Sequence, residues 1–202
     1  MNIVITGGAG FMGEALVRYI ISQTDHHVIN VDKLAYAVTL DPLTETMDHL
    51  RHHFQKVDIC HAQAIEELLA HYQPDAIMHL AAETHVDCSI DDSADFIQNN
   101  IVGAFSLLKS TRKNWLGLSI ESRQRFRFNH ISTDEVYGGL GETEVRYAID
   151  VGNIARELGW VPEVTFESGI KNTTLWYLEN HPWCQAVQSG NYQRQRLSIE
   201  SK

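Results

Sequence analysis

Cysteine is scarce in this sequence: Cys60, Cys88 and Cys184 are the whole supply. Their number is odd and no two lie close together, which argues against a disulfide framework and against a Cys-x-x-Cys metal site. A reducing, cytoplasmic setting suits such a chain. Basic residues are also few, with 16 Lys and Arg against 26 Asp and Glu and a formal net charge of −10. That sign does not suit nucleic acid or an anionic membrane as the main partner. A small phosphorylated ligand is still open, because backbone dipoles can hold it locally. No apolar run approaches the roughly 18 residues of a membrane span. The first residues, Met1 to Ile5, carry neither a charged leader nor an apolar signal core, so the expectation is a soluble protein. Internal repeats and low-complexity segments are missing too.

What is present reads as an ordinary globular chain, 44% hydrophobic and 21% charged. Its 202 residues suit one large domain or one and a half. Ile3-Val4-Ile5 reads as a buried strand, Glu14 to Ser22 as a helix, and Val28 to Val31 as a second strand ending at Asp32. Residues 33 to 53 read as loop. Strands are expected at Phe54–Asp58, Ala76–Leu80 and Phe126–Ile131, with helices at Ala62–Tyr72 and Asp92–Trp115 between them. Strands alternating with helices predict an α/β fold, a Rossmann-type doubly wound parallel sheet. After residue 138 the rhythm breaks at Gly138-Gly139-Leu140-Gly141, and helices are expected at Gly152–Leu158 and about Phe166–Glu179.

Between the first strand and the first helix stands Thr6-Gly7-Gly8-Ala9-Gly10-Phe11-Met12-Gly13. Gly8, Gly10 and Gly13 satisfy G-x-G-x-x-G, and Gly7, Gly10 and Gly13 satisfy G-x-x-G-x-x-G. Such spacing allows a tight turn, close backbone approach to a pyrophosphate and close helix packing. Asp32 follows Gly13 by nineteen residues, at the end of the second strand. An acid there binds adenosine ribose hydroxyls and repels a 2′-phosphate, which favours NAD over NADP. Lys33 beside it weakens that preference. Asp58 reads equally well as an adenine-side contact or as a solvated strand end.

The fifth strand runs into His130-Ile131-Ser132-Thr133-Asp134-Glu135-Val136-Tyr137-Gly138. These hydroxyls and acids either face the crevice beyond the strand ends or cap the next helix, and the residues alone leave both readings open. Taken in order, TGGAGFMG, DKLAYA, HLAAETHVD, NNIVGA and HISTDEVYG resemble the extended short-chain dehydrogenase/reductase family and, within it, the dTDP-glucose 4,6-dehydratases. RYAID, ARELGW and FESGI resemble the C-terminal segment of those enzymes.

The resemblance implies a lyase of nucleotide-sugar metabolism and deoxysugar biosynthesis. Its substrate is dTDP-glucose and its product a 4-keto-6-deoxy sugar nucleotide. A hydride leaves sugar C4 for NAD, water is eliminated across C5 and C6, and the hydride returns at C6. Glu135 would remove the C5 proton, Asp134 would protonate the departing C6 hydroxyl, and Thr133 would hydrogen-bond the oxygen at C4. The cofactor set carried over is Gly7, Gly10, Phe11, Met12, Gly13, Asp32, Lys33, Asp58, Ile59, Leu80, Ala81 and Ala82. Thr84 and His85 would touch cofactor or sugar, although His85 by itself reads as a surface residue. No metal ligand is implied, and the paired His26-His27 and His52-His53 do not share a strand face.

The family oxidises C4 with a Tyr-x-x-x-Lys pair, in which the lysine lowers the tyrosine pKa. No tyrosine of this chain has lysine four residues on; Tyr192 with Arg196 comes nearest. The chain passes from Gly138 to Arg146-Tyr147-Ala148-Ile149-Asp150 within a few residues, where the family places that helix, further strands and most of the sugar domain. The expected organisation is therefore an NAD-binding domain over 1–138, a deletion seam at 139–145, a helical remnant of the substrate domain at 146–188 and a polar tail at 189–202. The sheet should be incomplete on one side, exposing an apolar edge. The family homodimer uses the helix near 92–116 together with the missing helix, so dimerisation is not expected to carry over intact. Cys88 for the usual arginine, and Val38-Thr39 for the usual Gly-Asn, are two further departures. Two alternatives to turnover stand beside the enzyme: a remnant that holds NAD without catalysis or pairs with an intact dehydratase, and a chain that does not fold stably.

Overall fold

The computed structural model describes residues 1–34, 44–84, 93–133, 152–181 and 185. The chain forms two compact units, Met1–Ser132 and Thr133–Lys202.

Five strands form the first unit's sheet: β1 (Asn2–Thr6), β2 (His27–Asp32), β3 (His52–Lys56), β4 (Ala76–His79) and β5 (Arg127–His130). All pair in parallel, in the order β3-β2-β1-β4-β5. This is the doubly wound order, whose crevice opens between β1 and β4 at their carboxyl ends. The helices between strands are α1 (Phe11–Gln23), α2 (Thr44–Met47), α3 (Ala62–Tyr72), α4 (Ser93–Phe96), a π-helical turn (Ile97–Gly103), α5 (Ala104–Gly117) and α6 (Ile120–Arg125).

Strand alternation explains the two cores. Ile3, Ile5 and Val28 face one side, where Val17, Ile20 and Ile21 of α1 cover them. Val4, Ile29, Val31 and Ile77 face the other, packed on Ile65, Leu68 and Leu69 of α3 and Leu107 of α5. α3 ends where Gln73 takes a left-handed conformation (φ 43°) and its N–H bonds Leu69 O at 3.0 Å. Arg51 closes α1 from a distance, donating to the carbonyls of Ile21, Thr24 and His26.

Five expectations shift. β3 begins two residues early, at His52, so Asp58 lies beyond its end. The stretch read as loop holds α2, and α6 was not foreseen. The long helix is present, but seven of its residues form the wider π turn. The sheet does end at β5 among the described residues, yet that edge is polar rather than apolar. Arg127, Asn129 and His130 are exposed, and Phe128 alone is partly covered.

The second unit contains α7 (Gly152–Leu158) and α8 (Phe166–Glu179), both at their expected positions. Gly159, at φ 65°, ends α7 with its N–H on Ala155 O, and Thr165 caps α8 through Ser168 N–H. Trp160, Phe166, Ile170 and Trp176 are exposed. Among the described residues no helix is long and apolar enough to cross a membrane.

Candidate functional site

The carboxyl ends of β1, β2 and β4 lie side by side, since Thr6 pairs with both Val31 and His79. Three connections leave from there: the glycine turn after β1, Asp32-Lys33-Leu34 after β2, and Leu80 to Thr84 after β4. The glycines in the turn have different duties. Gly7 sits at φ 72°, and a Cβ there would lie 2.6 Å from Ala81 N, so the turn presses directly on the β4 connection. A Cβ on Gly13 would lie 2.0 Å from Gly7 O, which lets α1 start hard against the turn. Gly10 differs, with only Gly7 O at 3.3 Å from its Cβ position. It precedes α1 without a side-chain cap, and Phe11 and Met12 beyond it are exposed. The first-turn N–H groups of α1 therefore have no capping side chain there, which suits an anion.

Asp32 is 8% exposed and stands over this turn. One carboxylate oxygen accepts from Ala9 N–H at 3.1 Å, the other from Leu34 N–H at 2.8 Å. The second bond holds Leu34 in the left-handed region, at φ 56°. Each oxygen keeps a further lone pair for a ribose hydroxyl. A buried acid, an open glycine and an uncapped helix start together fit the adenosine and pyrophosphate portions of a dinucleotide.

Other members of the expected set have different placements. Ile59 is a core residue on the α3 side, and its Cγ1 and Cδ1 fill the space a Cβ on Gly103 would take. Only its backbone is left for a ligand. Asp58 accepts from Cys60 N–H at 2.8 Å, so it braces the turn leading into α3. Leu80 and Ala81 pack against the two cores, while Ala82 and Thr84 are open to solvent. Lys33 is held by partners after β4: its Nζ donates to Asn99 Oδ1 at 2.8 Å and lies 3.5 Å from Glu83 Oε1. Thr133 is exposed and opens the second unit. His85, Cys88, Asp134, Glu135, Tyr137, Val38, Thr39 and the 139–145 seam lie outside the described residues.

Several residues that support the site escaped the sequence reading. Asn100 clamps the β4 connection, accepting from Glu83 N–H at 2.8 Å and donating to Glu83 O at 2.9 Å. The π turn lets neighbouring Asn99 and Asn100 both reach this loop. Asn30 is buried beneath Gly8, whose Cβ position lies 2.1 Å from Asn30 Oδ1. The Asn30 amide also meets His52 Nε2 at 3.4 Å, while His52 Nδ1 lies 2.9 Å from Thr46 O. Burial holds the His52 pKa below the usual histidine range. The available signal was a polar residue in the middle of the apolar run Val28-Ile29-Asn30-Val31. His79, 2% exposed, bonds Thr6 Oγ1 at 2.7 Å, with the His130 ring 4.8 Å away. Burial, and then the His130 charge, push its pKa down to about 4. Among the described residues no group of three or more His, Cys, Asp or Glu could hold a metal ion.

Comparison with known proteins agrees with this geometry. The sequence profile of the GDP-mannose 4,6 dehydratase family matches residues 4–146. A dTDP-glucose 4,6-dehydratase of Escherichia coli is 59% identical over 140 residues, 69% of this chain and 39% of that protein. One from Neisseria meningitidis serogroup B is 54% identical over 143 residues, 71% of this chain and 40% of its own length. The chain thus spans about 40% of the length of these relatives. Among solved structures, a Streptomyces venezuelae dTDP-glucose 4,6-dehydratase mutant with NAD bound aligns with a TM-score of 0.60 at 33% identity. That match covers 70% of this chain and 42% of the other. The Bacillus anthracis enzyme in complex with NAD aligns with a TM-score of 0.58 at 27% identity, over 90% of this chain and 52% of its own. Fold, glycine turn and sequence profile lead to one conclusion: this chain belongs to the GDP-mannose 4,6 dehydratase family.

Proposed function

We propose that the chain carries the NAD-binding part of a dTDP-glucose 4,6-dehydratase and that, acting alone, it does not complete the reaction. The observation that carries the first half is the glycine turn closed on the β4 connection, with the buried Asp32 carboxylate above it. NAD, when bound, supplies a hydride acceptor. The chain's own residues would hold it: Asp32 at a ribose hydroxyl, the start of α1 at the pyrophosphate, and Leu80 to Thr84 lining the rest of the crevice.

The second half follows from elementary acidity. A C5 proton is acidic enough for a carboxylate such as Glu135 only after C4 has become a ketone. Making that ketone requires a base for the C4 hydroxyl proton, and no Tyr-x-x-x-Lys is present. Asp134 would serve the C6 hydroxyl only after that step, and Thr133 would steady the C4 oxygen.

A second reading, partnership with an intact dehydratase, is favoured by one observation. Ile97, Ile101, Phe105 and Leu108 are exposed along the π turn and α5, an apolar stripe suited to another helix pair. A cytoplasmic location accords with both readings.

The test is turnover of dTDP-glucose by the purified chain with NAD, following the 4-keto-6-deoxy product against a Glu135→Gln control. The expected result is no product from a chain that shows a cooperative thermal transition. Product that disappears in the control would show that another residue replaces the missing base.

A further inference from the structure

We propose that Glu83 and Asn99 set dinucleotide selectivity by holding the Lys33 ammonium away from the adenosine ribose. This rests on the NAD-binding reading above. At the end of β2 an acid binds the ribose 2′-hydroxyl, whereas a cation beside it accommodates a 2′-phosphate. This sequence places both there, Asp32 and then Lys33. Selectivity then depends on where the lysine points. A free ammonium would offset the repulsion between Asp32 and a 2′-phosphate; a captured one leaves that repulsion unopposed.

The structure shows capture. Lys33 Nζ lies 2.8 Å from Asn99 Oδ1 and 3.5 Å from Glu83 Oε1. Asn99 Nδ2 donates to the same Glu83 oxygen at 3.0 Å, closing a three-membered network. Asn99 is 6% exposed and the Glu83 side chain 17%, so the acceptors are largely shielded, while the Lys33 side chain at 34% keeps some contact with water. The network is anchored independently of its charges. Asn100 holds both the N–H and the carbonyl of Glu83, as a neighbouring strand would. The backbone also turns at once after Lys33, through the left-handed Leu34 bonded to Asp32. The π turn, which brings adjacent asparagines to one loop, thereby ties the β2 exit to the β4 exit.

The test is equilibrium binding of NAD and of NADP to the full chain by titration calorimetry, read as the ratio of the two affinities. Glu83→Gln should shift the ratio toward NADP by about three- to tenfold, and the shift should shrink as ionic strength rises. Adding Lys33→Met to that variant should bring the ratio back to within about twofold of the wild-type value. Lys33→Met in the wild-type background should move it far less than in the Glu83→Gln background. Glu83→Ala keeps the backbone bonds to Asn100 and should reproduce the shift, guarding against misfolding of the glutamine variant. An unchanged ratio in folded Glu83 variants that still bind NAD would overturn the proposal. So would an equal effect of Lys33→Met in both backgrounds, because the lysine would then already reach the ribose. Failure of the wild-type chain to bind NAD would instead remove the reading on which the proposal rests, and that result is visible without any variant.

Discussion

β1 and β5 belong to the same parallel sheet but live in different surroundings. β1 is central, with Val4 and Ile5 almost fully buried between the two helix layers. β5 is the last strand on its side among the described residues, and three of its four residues are exposed. The dinucleotide features cluster around β1 and β2, where both faces are covered. The acids expected to act on the sugar follow β5, where cover is thin. The sheet is thus well covered at β1 and β2 and open at β5.

The largest test of that contrast compares two core deletions. Ile77→Ala, in β4 beside β1, should destabilise the first unit by about 2–5 kcal/mol in urea unfolding. Phe128→Ala in β5 should cost roughly half as much or less, because its surroundings can already admit water. Equal costs would erase the distinction between centre and edge.

A second test uses His79, which joins the two regions by facing both Thr6 and His130. Its folded pKa, about 4, lies below the ordinary 6.5, so the unfolded chain binds the proton more readily. Stability should be fully present above pH 6.5 and fall as pH drops toward 4, by at most about 3 kcal/mol. His79→Gln should flatten that part of the pH profile of the thermal midpoint. His52, also lowered by burial, adds a slope of the same sign.

Smaller effects sharpen the picture on the β2 side. Arg51→Ala should cost about 1–2 kcal/mol, since the carbonyls of Ile21, Thr24 and His26, at and just beyond the end of α1, lose this donor. Lys113→Ala breaks an exposed pair with Glu66 and should cost under about 1 kcal/mol in the same denaturant series.

How much of this was legible in the sequence follows the same contrast. β1, β2, α1 and α3 were readable because their apolar residues recur at strand or helix spacing. β3 was misplaced by two residues because its opening pair, His52-His53, looks polar, although His52 is buried under Asn30. α6 was missed despite its serine cap, since a six-residue helix gives too little periodicity. At the site, Asp32 and the glycines were visible as local spacing. The capture of Lys33 by Asn99 was not, because 66 residues separate the partners. Nor was the division of duties among the glycines, which depends on what lies across the turn. The expectation of an apolar sheet edge failed because Arg127, Asn129 and His130 occupy it.

The central claim is that the glycine turn and Asp32 form a working dinucleotide site within this chain. Calorimetric titration of the full chain with NAD, beside Asp32→Ala, tests it most directly. Saturable binding at one site is expected, weakened at least about tenfold by the substitution as a charge-assisted bond to the ribose is lost. Absence of saturable binding by a cooperatively folded wild-type chain, or equal affinity in the variant, would contradict it.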